Sequence, residues 1–230
     1  MNKYDVINKI EKFAPPELAE EWDCSGWGVE TGKTEVCKIM LCLTVTDDIV
    51  KQALENNCDM IISHHPLFYV PLSWNKIDIY SAHTNLDRAD GGTTDTLISE
   101  LGLMINEKDD FLRFADVHTS IEDFCQKLSE ISPNLRYVNN KNTRCLKKIA
   151  FCAGSGSEFI NEAYENGADA LVTGDIKFHT ALESPIVLFD IGHFESEILV
   201  LKVFEKLLEG INTLRAVEKS PFNHFRENNY

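Results

Sequence analysis

The sequence predicts an α/β protein: two similar, interlinked α/β domains with largely parallel sheets. Three observations carry that reading. Short apolar runs alternate with helix-like segments, the pattern recurs when the chain is slid against itself by 110 residues, and ligating side chains fall where the apolar runs end.

The first segment, MNKYDVINKIEKFAPPE, places Val6, Ile7, Ile10 and Phe13 on one helical face and stops at Pro15-Pro16. It has no apolar stretch long enough for a signal peptide. KIMLCLTV (38–45) is a run suited to a buried parallel strand, and Asp47-Asp48 opens a helix over IVKQALENN. DMIIS (59–63) and KIDIYSA (76–82) are further strands, followed by a helix in GGTTDTLISELGL (91–103). The second series has KIAFCAG (148–154), a helix opened by Ser157-Glu158 over FINEAYENG, DALVT (169–173), IVLFDIG (186–192) and a helix over 195–210. Between the series, VHTSIEDFCQKLSEI (117–131) reads as a helix and Pro133 to Arg144 as a loop or edge strand. TLRAV near the C-terminus reads as a last strand before a turn at Pro221.

The likeness between the series is measurable. Residues 38–87 and 148–197, compared without gaps, share ten identities in fifty, among them Lys38/Lys148, Cys42/Cys152, Asp59/Asp169, Phe68/Phe178 and His83/His193. Ordinary composition predicts about three. An internal duplication follows, with a first domain over 1–105 and 210–230 and a second over 106–209.

Composition narrows the function. The net charge is −15, from 37 acidic and 22 basic residues. Such a surface repels phosphate backbones and anionic lipid, which argues against nucleic-acid and membrane partners. Seven widely spaced cysteines without a C-x-x-C favour reduced thiols in a cytoplasmic protein, with Cys37, Cys42 and Cys152 as core thiols. His118 and His224 read as ordinary surface or core histidines.

The chemistry collects at strand ends, where open parallel sheets form their sites. His64-His65 ends the second strand of the first series, Asp87 lies past its third, and His193 ends the third strand of the second series. Glu197 follows His193 by four residues, which on a helix puts both on one face. Pro66 biases His65 toward extended backbone, where neighbouring side chains point apart. Two diverging imidazoles suit two ions bridged by carboxylates better than one ion, so the pattern reads as a dinuclear site. His83 matches His193 in the repeat and is either a ligand or a partner of one.

SHHPLFY (63–69), SAHTNLDRADGG (81–92), VTGDIKFH (172–179) and DIGHFESE (190–197), with WDCSGWGVETG (22–32), resemble the signature blocks of the GTP cyclohydrolase I type 2, or Nif-three-like, proteins. The resemblance runs nearly the whole chain and matches the family's short form. Cys24 and Thr94 depart from the usual residues at their positions. It implies two linked α/β domains, two divalent metal ions per subunit and a toroidal homohexamer. The ligands it implies are His64, His65, Asp87, His193 and Glu197, with His83 beside them.

Three imidazoles and two carboxylates suit Zn, Fe, Mn or Ni. The family name implies activated water attacking a nucleotide such as GTP and opening its imidazole ring. Asp175 and His179 are then the acid/base candidates. Lys177, Arg88 and Lys33 are candidate contacts for a triphosphate. The alternative is a non-catalytic metal-binding, adaptor or metal-storage protein.

Overall fold

Apolar runs of four or five residues are too short to bury themselves as helices, and they pair as strands. The protein is a computed structural model that describes residues 1–222, so His224 lies outside the described residues. Two compact units emerge, Met1–Thr96 with Ile198–Glu218, and Leu97–Glu197 with the segment from Lys219.

The first unit opens with α1 (Lys3–Phe13), capped by the Asn2 side chain and burying Val6, Ile7 and Ile10. Its sheet contains β1 (Gly26–Val29), β2 (Lys38–Cys42), β3 (Met60–Ser63), β4 (Asp78–Ser81) and the late strand β11 (Asn212–Arg215), in the order β1-β4-β3-β2-β11. All neighbours are parallel except β1 and β4. Helix α2 (Asp47–Glu55) connects β2 to β3. Its cap is the Thr46 hydroxyl, which accepts from the Ile49 amide at 3.3 Å, so the acids expected to open it instead occupy the first turn. Helices α3 (Thr84–Arg88) and α4 (Thr93–Glu100) follow β4.

The second unit contains β5 (Glu107–Asp109), β6 (Leu112–Ser120), α5 (Ile121–Ser129), β7 (Arg136–Val138), β8 (Cys145–Phe151), α6 (Ile160–Glu165), β9 (Ala170–Thr173), α7 (Phe178–Glu183), β10 (Val187–Asp190) and α8 (His193–Glu197). Its sheet order is β5-β6-β8-β9-β10-β7. Only β8, β9 and β10 are mutually parallel; β5, β6 and β7 join antiparallel.

Four sequence expectations are corrected. The helix expected over 117–131 begins at Ile121, because residues up to Ser120 pair with β8 and the Ser120 hydroxyl then caps the helix at Asp123 N. The helix expected over 195–210 is split by a tight turn, Ile198–Val200, from α9 (Leu201–Leu207), where β-branched residues weaken helix propensity. Helix α9 belongs to the first unit, where it packs on β2 and α1 through Leu201, Val203 and Phe204, and not to the second domain as expected. Cys42 and Cys152 are buried, but Cys37 precedes β2 and is exposed.

The two cores repeat each other. Met40, Cys42, Val50, Ala53, Cys58 and Ile61 line one, and Ala150, Cys152, Ile160, Ala163, Ala168 and Leu171 line the other, each pair 110 residues apart. The polar scaffold repeats too. Asp59 accepts the amides of Cys37 and Lys38 at 2.9 and 3.2 Å, and Asp169 those of Lys147 and Lys148 at 2.7 and 3.1 Å. Lys38 Nζ donates to Asn56 O at 3.0 Å and Lys148 Nζ to Asn166 O at 2.8 Å. The Asp carboxylate and the Lys ammonium thus make the same bonds in both series, and the Asn side chains repeat as well, Asn56 Nδ2 donating to Gln52 O at 2.9 Å and Asn166 Nδ2 to Glu162 O at 3.1 Å.

The register shows what a gapless comparison hides. Met60 pairs with Asp78, but its counterpart Ala170 pairs with Val187, one residue short of the 188 expected from 78 + 110. Gly192, with φ +84, restores the offset before His193. Phe68 and Leu72 also differ from their matches: Phe178 and Leu182 lie on α7, whereas Phe68 lies in a loop and Leu72 starts a three-residue turn.

Candidate metal centre

In the first unit, His64 and His65 leave the end of β3 and His83 caps the start of α3, while Asp87 sits within α3. The three imidazoles form a cluster with ring centroids 5.2, 5.2 and 5.7 Å apart. Each residue offers one ligating atom within 4.8 Å of the others. The rings of His64 and His65 tilt by 39° and do not diverge as expected, because both residues lie beyond β3 and strand alternation no longer governs them.

Each imidazole is held through Nδ1. His64 Nδ1 is 2.9 Å from Ala82 O, His65 Nδ1 is 2.6 Å from Thr44 Oγ1, and His83 Nδ1 is 3.0 Å from Asp23 Oδ1. The carbonyl on His64 and the carboxylate on His83 accept from Nδ1 and leave Nε2 as the lone-pair nitrogen, while the Thr44 hydroxyl fixes the His65 ring, which is how metal-binding histidines are oriented. His64 Nε2 stands 3.4 Å from Asp87 Oδ1, with both atoms buried. That separation matches the edge of a donor tetrahedron around Zn²⁺, about 3.4 Å for bonds of about 2.1 Å. The donor set therefore fits a divalent ion.

Asp23 was not singled out from sequence, since its partner lies 60 residues away and no spacing rule joins them. Burial opposes its charge, but bonds from His83, Thr84 and Ser25 hold the carboxyl well below the usual carboxylate range. Trp22 lies edge-on to the His83 ring at 6.1 Å.

In the second unit, α8 carries His193 and Glu197 one turn apart, as the spacing predicts, with His193 Nε2 2.9 Å from Glu197 Oε2. Asp175 Oδ2 lies 2.7 Å from His193 Nδ1. The bond to Glu197, opposed by burial and aided by Asp175, lifts His193 to about 9. His83 and His193, equivalent in the repeat, thus both carry an aspartate on Nδ1, although Asp23 and Asp175 come from unrelated positions.

The asymmetry of the copies has a steric cause. Gly174 stands where the first copy has His64, and a Cβ there would come within 2.7 Å of His193 N and 2.8 Å of Gly192 C. Packed backbone fills that position. Gly154 makes room for Glu197, whose Oε1 would be 2.1 Å from an added Cβ. His179 is exposed on α7 with its ring 5.3 Å from that of Phe178. Among the described residues, no hydrogen bond or ion pair joins it to His193 or Asp175. No helix among the described residues is long and apolar enough to cross a membrane.

Known proteins resemble the chain in sequence and in fold. Residues 1–222 match the family model described as Duf34/NIF3 (NGG1p interacting factor 3). The GTP cyclohydrolase 1 type 2 homolog of Clostridium perfringens is 34% identical, with 93% of this chain and 94% of that protein covered. The homolog of the same name from Campylobacter jejuni is 30% identical over 98% of this chain and all of its own length (100%). Among solved structures, reduced HcgD from Methanocaldococcus jannaschii superposes with a TM-score of 0.82 at 28% identity, covering 94% of this chain and 97% of that one. A hypothetical protein from Staphylococcus aureus, 23% identical, shares the fold with a TM-score of 0.86 over 98% of this chain and 99% of its own. With the family match spanning every described residue and these relatives aligned over nearly their full lengths, the chain belongs to the Duf34/NIF3 family.

Proposed function

We propose that this protein binds two divalent metal ions per chain and uses them in hydrolysis of a nucleotide such as GTP, as a cytoplasmic, toroidal homohexamer. The proposed ligands are His64, His65 and Asp87 from the first unit and His193 and Glu197 from the second. The observation that carries the reading is the buried His64, whose Nδ1 is held by a backbone carbonyl and whose Nε2 faces Asp87 within a three-imidazole cluster. A buried imidazole next to a carboxylate and two more imidazoles is a poor way to build a core and a good way to hold a cation.

Bound ions would act as Lewis acids and lower the pKa of water at neutral pH. The chain's own residues orient that chemistry: Ala82 O, Thr44 and Asp23 fix three imidazoles, and Asp175 fixes the fourth. The curated relatives named GTP cyclohydrolase 1 type 2 homolog support the nucleotide as substrate.

Asp175 favours a second reading. Its carboxylate is engaged by His193 and so suits an orienting role better than an acid/base one, which is also what a non-catalytic metal-binding, adaptor or storage protein would show.

The test is metal content of wild type and His65→Ala, purified without chelator, followed by an assay of formate release from GTP with the native metal restored. Two ions per wild-type chain, loss of ion in the variant and formate release support the hydrolase. Two ions with no turnover of any nucleotide leave only the second reading, and less than one ion per chain overturns both.

A further inference from the structure

The last described stretch of the first unit reaches back to the start of the imidazole cluster. Strand β11 extends the sheet beside β2, and Ala216 N donates to Leu41 O at 2.8 Å. Gln52 on α2 then clasps Val217 in both directions, accepting its N–H and donating to its carbonyl, each at 2.9 Å. This fixes the next residue, Glu218. Its carboxylate accepts the amide of Leu43 at 2.6 Å and of Thr44 at 3.3 Å. Those amides lie just past β2, where no strand partner takes them.

The same two residues hold His65. Leu43 O accepts the His65 amide at 2.8 Å, and Thr44 Oγ1 is 2.6 Å from His65 Nδ1. Backbone and ring of His65 are thus both referred to residues 43–44, and residues 43–44 are referred to Glu218. A carboxylate accepting two amides locks a turn more tightly than a neutral acceptor, since each charge-assisted bond is stronger.

We propose that Glu218 is a positioning residue for the metal-binding imidazole of His65, acting through Leu43 and Thr44. The inference rests on the reading of His65 as a ligand. Glu218 itself touches neither ion nor substrate. With the Thr44 hydroxyl held at Nδ1 and accepting its N–H, Nε2 is the nitrogen left to meet the cation. An oriented imidazole binds a metal about 10–100-fold more tightly than one lacking its partner.

The experiment compares wild type, Glu218→Gln, Thr44→Val, Thr44→Ser and the Glu218→Gln/Thr44→Val double variant. One readout is Zn²⁺ affinity by competition with a chromophoric chelator. The other is the side-chain ¹⁵N shifts of His65 in chelated protein, which report its tautomer without any metal. The expected result is a 10-fold or greater loss of Zn²⁺ affinity in Glu218→Gln and Thr44→Val, no further loss in the double variant, rescue by Thr44→Ser, and altered His65 tautomer populations in the weakened variants. Wild-type shifts in either weakened variant, or additive losses in the double variant, overturn the proposal. If Glu218→Gln does not fold, Glu218→Asp, whose shorter side chain withdraws the carboxylate from the Leu43 and Thr44 amides, takes its place in the same comparison. A wild type that binds no Zn²⁺ refutes the ligand reading, while the ¹⁵N shifts still judge the positioning role independently.

Discussion

Asp175 Oδ2 lies 2.7 Å from Nδ1 of His193, and it does so from a backbone in the left-handed region at φ 56. A non-glycine residue held there costs about 1–3 kcal/mol, so the contact is kept against strain. Asp175→Asn retains the shape but weakens orientation of the imidazole. The expected outcome is a 10–100-fold loss of metal affinity at His193 with little change in unfolding midpoint, measured by calorimetric metal titration and thermal melts.

The raised pKa of His193 gives the metal-free protein a signed pH dependence. The folded value is about 9 against an ordinary 6.5, so the folded state binds the proton more tightly. This contribution to stability is fully present below pH 6.5 and is lost as pH rises through about 9. A metal competes with that same proton, so affinity at His193 rises about tenfold per pH unit until pH nears 9. Denaturant melts of chelated protein and metal titrations across pH 6–9 check both directions. His193→Gln should flatten both profiles.

Gly154→Ala is expected to harm the site and the fold together. The residue has φ +71, and its new Cβ would stand 2.1 Å from Glu197 Oε1. Gly102→Ala is the control, with φ +64 and nothing within 4 Å of the added carbon. Both variants lose the backbone preference, worth about 1–3 kcal/mol in denaturant melts. Only Gly154→Ala should also lower metal content.

The duplicated aspartates make a matched pair. Asp59→Ala and Asp169→Ala each strand two amides, at the start of β2 in the first case and within β8, just before its parallel pairing with β9, in the second. Each should cost about 1–3 kcal/mol, and the two losses should be similar in size. Urea unfolding of both variants tests this; a neutral effect at one position would show that the two scaffolds are no longer equivalent.

Much of this arrangement was legible because it is local. The strands are short apolar runs, His193 and Glu197 are one helical turn apart, and the repeated Lys, Asp and Asn residues mark repeated bonds. What was not legible is what the fold brings from a distance. Asp23 meets His83 across 60 residues and Glu218 meets Leu43 across 175, and neither partner shares a period or motif. Strand β6 was hidden because residues 117–120 carry no alternation strong enough to outweigh the helical pattern after them. The acid/base reading of Asp175 missed its bond to His193 for the same reason: a loop acid's neighbour is set by tertiary packing, not by its sequence context.

Gly192 gives the duplication a constraint of its own. The connection into β10 is one residue shorter than its counterpart into β4, and the glycine after β10 supplies the missing step. His193 therefore keeps its match to His83 through two opposite length differences between the copies. A one-residue change in the 174–186 connection that shifts the register of β10 is offset by the reverse change at 191–192, which returns His193 to the start of α8.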